Sequence, residues 1–209
     1  MRPDVPALLE ARSRGSIVTS EMEIFFEVCP CTIIGVTGSD GKTTTTSIIA
    51  EMLRAAGKTV YLGGNIGHPL LCDAEKMKRD DVAVVELSSF QLLDMKCSPH
   101  IAVMTNLAPN HLDMHRDMAE YIAAKENIYL HQREDDIAIF NKDNDITTRF
   151  LKSPKRTRAF SAAAKRSRTA RFCAVTRLFC VITDMRKRSC AFRIFACRGC
   201  TTSKIILPL

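Results

Sequence analysis

The residues best suited to chemistry stand together in Thr32–Thr46, TIIGVTGSDGKTTTT. An apolar β-branched run, Thr32 to Val36, meets a small-residue loop, Thr37 to Gly41, and then a lysine and four threonines open a helical pattern. Strand, glycine loop, Lys-Thr and helix together suit nucleotide phosphates. Glycines let backbone N–H groups close around an anion at a helix N-terminus, Lys42 adds a point charge, and the Thr43 hydroxyl can ligate Mg2+. Gly38, Ser39, Asp40, Gly41, Lys42, Thr43 and Thr44 are thus the candidate nucleotide-binding set. The spacing departs from the strict G-x-x-x-x-G-K-[ST] form, because Val36 stands where the first glycine belongs. The plainer alternative is a tight strand-to-helix turn with a chance lysine.

A divalent ion beside such a loop needs further oxygen or nitrogen ligands. Glu86 closes the apolar run DVAVVE, where open parallel sheets present ligand-facing groups; its plainer role is to cap the helix beginning near Ser88. His111 lies in the loop after the next apolar run, IAVMTN, and either faces the same crevice or is simply exposed. Lys125 falls in a helical stretch, where most lysines are solvated. Asp113, His115 and Arg116 cluster nearby, with ligand and surface readings both open. Gly63-Gly64-Asn65-Ile66-Gly67 marks backbone passing close to something, either a ligand or a bulged turn.

The elements that must position these residues follow from periodicity. Strands are expected at Thr32–Val36, Lys58–Leu62, Asp81–Glu86, Ile101–Asn106 and Ile137–Phe140, with helices after the glycine loop and from Met118 to His131. The alternation predicts an α/β fold, a mostly parallel sheet flanked by helices. Residues 1–31 read as helix (Val5–Arg12), short strand (Ser16–Val18) and helix (Ser20–Val28), with a Ser20/Glu23 capping box. They form a remnant preceding the central domain, which spans 32–161.

The chain has 209 residues, 46% hydrophobic, enough for a packed core. No apolar run of membrane-spanning length and no signal-peptide centre occurs, so a soluble cytoplasmic monomer is expected, without a membrane partner. The net charge of +7 is divided unevenly. Residues 162–209 hold 11 Lys+Arg and one acid, Asp184, whereas residues 1–161 hold 19 basic and 22 acidic residues. Five of the nine cysteines, Cys173, Cys180, Cys190, Cys197 and Cys200, also lie in that basic tail. Two compositions meet near Ser161. The tail is not expected to be a folded domain.

TGSDGKTTT, GGNIG, ELSSFQL, TNLAPNHLDMH and YIAAKENIY, in that order, resemble the central domain of the Mur ligases over about residues 1–161. ELSSFQL and GGNIG favour the branch acting on UDP-N-acetylmuramoyl-L-alanine and D-glutamate over its sisters and over folylpolyglutamate synthases. The resemblance implies an ATP-dependent, Mg2+-requiring amide-bond ligase of peptidoglycan synthesis that works through an acyl phosphate. It implies that Lys42 binds phosphate, that Thr43 and Glu86 hold one Mg2+, and that His111 helps hold a second. Lys125 matches the lysine that becomes carbamylated, a metal-binding group in that form. Asn65 and Ser88 match positions near the muramoyl substrate. Asn110 stands where several relatives carry aspartate, removing one charge.

Whole ligases of this family also have an N-terminal domain for the UDP end and a C-terminal domain that completes the ATP site, and neither fits here. Met1 would be an internal methionine of the parent chain. The family segment resembling L-P-G-x-H-N-x-x-N is absent from 162–209 as written. Yet one permitted codon choice for Ala196–Leu209, read from the last base of the Ala196 codon, yields LPGMHNVENYLAA. A frameshift near Ser161 is therefore expected, and with it a truncated copy whose nucleotide binding is weak or absent and whose turnover is incomplete. The alternative is a non-enzymatic phosphate-loop module whose basic tail binds nucleic acid. Against a solvated arm stand Phe172, Phe179, Phe192 and Phe195; a zinc or redox role for Cys197-x-x-Cys200 lacks a partner pair of suitable spacing.

Overall fold

Strand β1 (Thr32–Thr37) shows how the sheet is buried. Alternate side chains point to opposite faces. Ile34 and Val36 pack with Ile49, Ala50 and Leu53 of helix α3 (Lys42–Ala55), whereas Ile33 belongs to the core on the other face with Met22, Phe25 and Tyr121. Strand β3 (Val82–Glu86) repeats the pattern, Val82 and Val84 toward α3 and Ala83 and Val85 away from it. Apolar residues on both faces are what a fully covered parallel sheet requires, and they explain why these strands read as continuous hydrophobic runs.

The computed structural model describes residues 4–109 and 115–150, together with the backbone of 158–162. Strands β2 (Val60–Gly64), β4 (Ile101–Met104), β5 (Ile137–Asn141) and β6 (Arg158–Ala162) complete a six-stranded sheet in the order β2-β3-β1-β4-β5-β6. Every pair is parallel. The expected α/β class holds, with the sheet wholly parallel. Helices α1 (Pro6–Ser13) and α2 (Glu21–Val28) precede it, and a short helix α4 (Ser89–Leu92) follows β3. Helix α5 (Met118–Leu130) covers the face opposite α3, and α6 (Asp145–Phe150) follows β5. Among the described residues no helix is long and apolar enough to cross a membrane. The tail from 163 on lies outside the described residues.

Three sequence expectations are corrected. Ser16–Val18 is not a strand: the chain closes α1 through Gly15 at φ 85°, and Ile17 is 91% exposed, with no described strand to pair with. Strand β4 ends at Met104: the Thr105 N–H still donates to the Thr37 carbonyl at 2.9 Å, but the Asn106 carbonyl turns to the Ser39 N–H of the glycine loop. Strand β2 starts later than expected and carries on into the glycines, Gly63 pairing with Val85 and Gly64 with Glu86. The Ser20 capping box forms as expected, the Ser20 hydroxyl accepting from the Glu23 N–H at 3.2 Å while the Ser20 N–H donates to the Glu23 carboxylate at 3.2 Å.

Candidate functional site

In β1 the even-numbered residues face α3 and the odd-numbered ones face α5. The chain then enters the glycine loop at the C-terminal edge of the sheet. Here β1 and β4 are neighbours whose outgoing connections cross opposite faces of the sheet, through α3 after β1 and through α5 after β4. That is the crevice where open parallel sheets bind ligands.

The loop is braced from β4. The Ser39 N–H donates to the Asn106 carbonyl at 3.0 Å, and the Asp40 N–H donates to Asn106 Oδ1 at 2.9 Å. The Thr105 hydroxyl donates to the Asp40 carbonyl at 2.7 Å. It occupies the space a side chain at Gly38 would need, since a Cβ there would lie 1.9 Å from Thr105 Oγ1. The Ser39 side chain is buried, hydrogen-bonded to Tyr121 Oη at 2.9 Å and accepting from the Ala108 N–H at 2.9 Å. Ser39 and Asp40 therefore use their N–H groups to shape the loop. The amides left for an anion are those at the start of α3, residues 41–44, where the first intrahelical bond runs from the Thr45 N–H to the Gly41 carbonyl. Gly41 caps that end at φ 76° with no side-chain partner for the amides.

Lys42 arches back over the loop, its ammonium donating to the Gly38 carbonyl at 3.1 Å and to the Ser39 carbonyl at 3.0 Å. Thr43 and Thr44 are exposed on the first turn of α3. The period-two alternation of Val82 and Val84 carries Glu86 to the same face, beneath that turn. The Thr43 hydroxyl donates to Glu86 Oε2 at 2.8 Å. The Asn65 amide holds the other oxygen, Oε1, at 3.0 Å. Glu86 is 2% exposed, so it does not cap the following helix; Ser88 does that, accepting from the Gln91 N–H at 3.2 Å. A buried carboxylate held between a hydroxyl and an amide, both neutral, suits a hard cation with oxygen ligands. Thr43 and Glu86 fit Mg2+ in this respect.

From the opposite face comes Lys125. Tyr121, Ala124, Lys125, Ile128 and Tyr129 make up the buried stripe of α5, so the lysine points into the protein. Its ammonium donates to Thr37 Oγ1 at 3.2 Å and to the Gly38 carbonyl at 3.0 Å, and lies 4.9 Å from the centre of the Tyr121 ring. Burial, reinforced by the charge of Lys42 and opposed by that of Glu86, pulls its pKa down to about 7. His115 stacks on Phe90 with centroids 5.0 Å apart, and its Nε2 meets Ser89 Oγ at 2.8 Å. It supports α4 and is not directed at the loop.

The structure thus unites Gly38, Ser39, Asp40, Gly41, Lys42, Thr43, Thr44, Glu86 and Lys125, with Asn65 on Glu86. His111, Asn110 and Asp113 lie outside the described residues. The sequence reading missed Asn106, Thr105, Thr37 and Tyr121, which shape the loop. Their polar side chains looked like ordinary loop or helix residues. Only the placement of Asn106 at a strand end hinted at the role.

Fold and site together define an α/β domain with a glycine loop and a helix N-terminus at the switch point of a parallel sheet. The sequence model described as the Mur ligase middle domain matches residues 36–186, and the chain belongs to the Mur ligase family. The UDP-N-acetylmuramoylalanine–D-glutamate ligase of Acetivibrio thermocellus is 54% identical over 155 residues, 74% of this chain and 33% of that protein. The ligase of the same name from Clostridium tetani is 53% identical over 147 residues, 70% of this chain and 32% of that protein. The chain thus spans about a third of the length of these curated relatives. Among solved structures, a UDP-N-acetylmuramoyl-L-alanyl-D-glutamate–2,6-diaminopimelate ligase superposes with a TM-score of 0.54 at 25% identity, covering 66% of this chain and 33% of that one. The MurF ligase of Thermotoga maritima, in complex with ADP, shares the fold with a TM-score of 0.55 at 22% identity, covering 72% of this chain and 38% of that one.

Proposed function

We propose that this domain is the ATP-handling core of a ligase that joins D-glutamate to UDP-N-acetylmuramoyl-L-alanine in peptidoglycan synthesis. The observation that carries the reading is the convergence of Lys42, Thr43 and buried Glu86 at the N-terminus of α3. The amides of residues 41–44 and the Lys42 ammonium bind the terminal phosphates of ATP and stabilise the charge as the phosphoryl group moves. Thr43 and Glu86 hold Mg2+, which when bound neutralises phosphate charge. The γ-phosphoryl group passes to the alanyl carboxylate. The D-glutamate amine then attacks the acyl carbon, a C–N bond forms, the C–O bond to phosphate breaks, and the amine loses a proton.

His111 holds a second ion in this reading, on the strength of the family resemblance. The lowered pKa of Lys125 supports its carbamylation, because the neutral amine is the form that attacks CO2, giving a carbamate and a proton. Asn65 and Ser88 border the muramoyl site in the same reading, in addition to their bonds to Glu86 and Gln91.

For these 209 residues alone, weak MgATP binding and no D-glutamate addition are expected. One third of the relatives' length does not position all reactants, and positioning alone is worth about 7–11 kcal/mol. Calorimetric titration with MgATP should give a dissociation constant in the roughly millimolar range, about −4 kcal/mol, abolished by Lys42→Met. Sustained phosphate release dependent on both substrates would overturn the expectation for the isolated chain. Equal MgATP affinity in the Lys42→Met variant would overturn the site.

The change of composition near Ser161 is, in our reading, a shift of reading frame. Translation of the coding DNA beyond that codon in all three frames should return L-P-G-x-H-N-x-x-N in another frame. Its absence from all three would remove the proposal. A nucleic-acid role rests on tail composition alone, and that tail lies outside the described residues.

A further inference from the structure

We propose that Cys29, Cys31 and Met77 form a binding site for a soft, thiophilic cation of the copper(I) type. The site lies at the N-terminal end of β1, a strand of six residues and hence about 20 Å from the phosphate loop. Cys29 ends α2, Cys31 immediately precedes β1, and Met77 ends the 3-10 turn Leu70–Lys76. Cys29 Sγ lies 3.4 Å from Cys31 Sγ and 3.8 Å from Met77 Sδ. None of the three is fully open to water: Cys31 and Met77 are buried at 3% and 6% exposure, and Cys29 is half-buried.

Three sulfurs, with that of Cys29 touching both others, are chemically specific. Thiolate and thioether donors select soft ions such as copper(I) and leave magnesium and calcium to oxygen sites. At a metal–sulfur distance of about 2.3 Å, tetrahedral or trigonal angles put two sulfurs about 3.8–4.0 Å apart. The Cys29–Met77 separation already meets that figure, and the cysteine pair needs only a small opening. Zinc is a poorer match, since no group of three or more His, Cys, Asp or Glu side chains able to hold a metal occurs among the described residues. Asp81, at the entry to β3, is close enough to act electrostatically on Cys31 and favours a cation there.

The competing use of a close dithiol is a disulfide. A disulfide here would have to close a small ring through the single intervening residue, Pro30, whose ring fixes φ. Two residues of extended chain separate Cα atoms by about 6.6 Å, the outer edge of the range that a disulfide spans. An ion bridging the two sulfurs imposes no such closure. The thioether of Met77, which a disulfide would not use, completes the set. On binding, each thiol releases its proton and no electron is transferred.

The test follows cysteine alkylation by peptide mass in the full chain, anaerobically, with copper(I) buffered by a chromophoric chelator. Cys72, exposed, reports metal capture by unrelated thiols, and half-buried Cys97 reports the integrity of the fold. Copper(I) should slow alkylation of Cys29 and Cys31 together, by about tenfold or more, at concentrations that leave Cys72 unaffected. Met77→Leu, close in volume, should weaken that protection about tenfold while Cys97 alkylates as before. Protection unaffected by Met77→Leu would overturn the three-sulfur site. So would alkylation of Cys29 and Cys31 at the metal-free rate in the presence of copper(I).

Discussion

Gly64→Ala is expected to cost this domain roughly 2–5 kcal/mol, as a backbone strain of about 1–2 added to an overpacking cost of about 1–3. Gly64 sits at φ 99°, and a Cβ there would lie 2.3 Å from the Glu86 carbonyl oxygen and 2.8 Å from Val85 Cγ1. The carbonyl cannot retreat. It accepts the Asn65 N–H at 2.8 Å, and its residue is the ladder partner of Gly64. Gly57→Ala is the control: its φ is 79°, but nothing lies within 4 Å of the added carbon, so only the strain of about 1–2 kcal/mol remains. Urea denaturation of the two variants should separate the contact from the strain. Equal midpoints would show that close packing against Glu86 is not what requires glycine. The site should fail with the fold, because moving the Glu86 backbone moves the carboxylate that faces Thr43 and Asn65.

This contact also resolves an ambiguity in the sequence. A cluster of three glycines around Asn65 suits a ligand loop and a close backbone approach equally well. The structure supplies the approach directly, Gly64 against β3, and gives the Asn65 side chain to Glu86. Strands β1, β3, β4 and β5 were legible because each is buried on both faces and so forms a continuous apolar run, whereas half-buried β2 was placed with a shifted start and β6 was not read. The glycine loop was legible because its chemistry is local. Glu86 follows from the same logic, a carboxylate closing such a run. What could not be read is whatever depends on long-range partners. Asn106 reaches Asp40 across 66 positions, and Tyr121 meets Ser39 across 82. Lys125 lay between the two cases. Its spacing of four from Tyr121 and three from Ile128 places it on the buried stripe, yet a lone lysine in a helix looks solvated until the stripe is drawn. Ser16–Val18 failed for the opposite reason, since β-branched residues do not make a strand without a neighbour to pair with.

Lys125→Met is expected to stabilise the domain in mildly acidic solution and to lose that advantage as the pH rises. The native pKa of about 7 lies well below the ordinary lysine value of 10.5. Below pH 7 the lysine is charged in both the folded and unfolded chain, and the folded state bears the full cost of burying it beside Lys42. Between about 7 and 10.5 the unfolded chain binds the extra proton, so stability rises with pH; above 10.5 neither state is charged and the cost is gone. The interval corresponds to about 5 kcal/mol at 1.36 kcal/mol per pH unit. Methionine removes that cost but also removes the hydrogen bonds to Thr37 and Gly38, a loss of about 1–3 kcal/mol. The variant should therefore be more stable than the native chain by about 2–4 kcal/mol at pH 6, and equal or less stable near pH 10. Denaturation midpoints at the two pH values measure it. Parallel stability curves would mean that Lys125 carries its charge in the folded domain at ordinary cost, and the case for a reactive neutral amine at this position would fall with it. A stability gain for Lys125→Met confined to low pH would match the neutral amine that the proposed carbamylation requires.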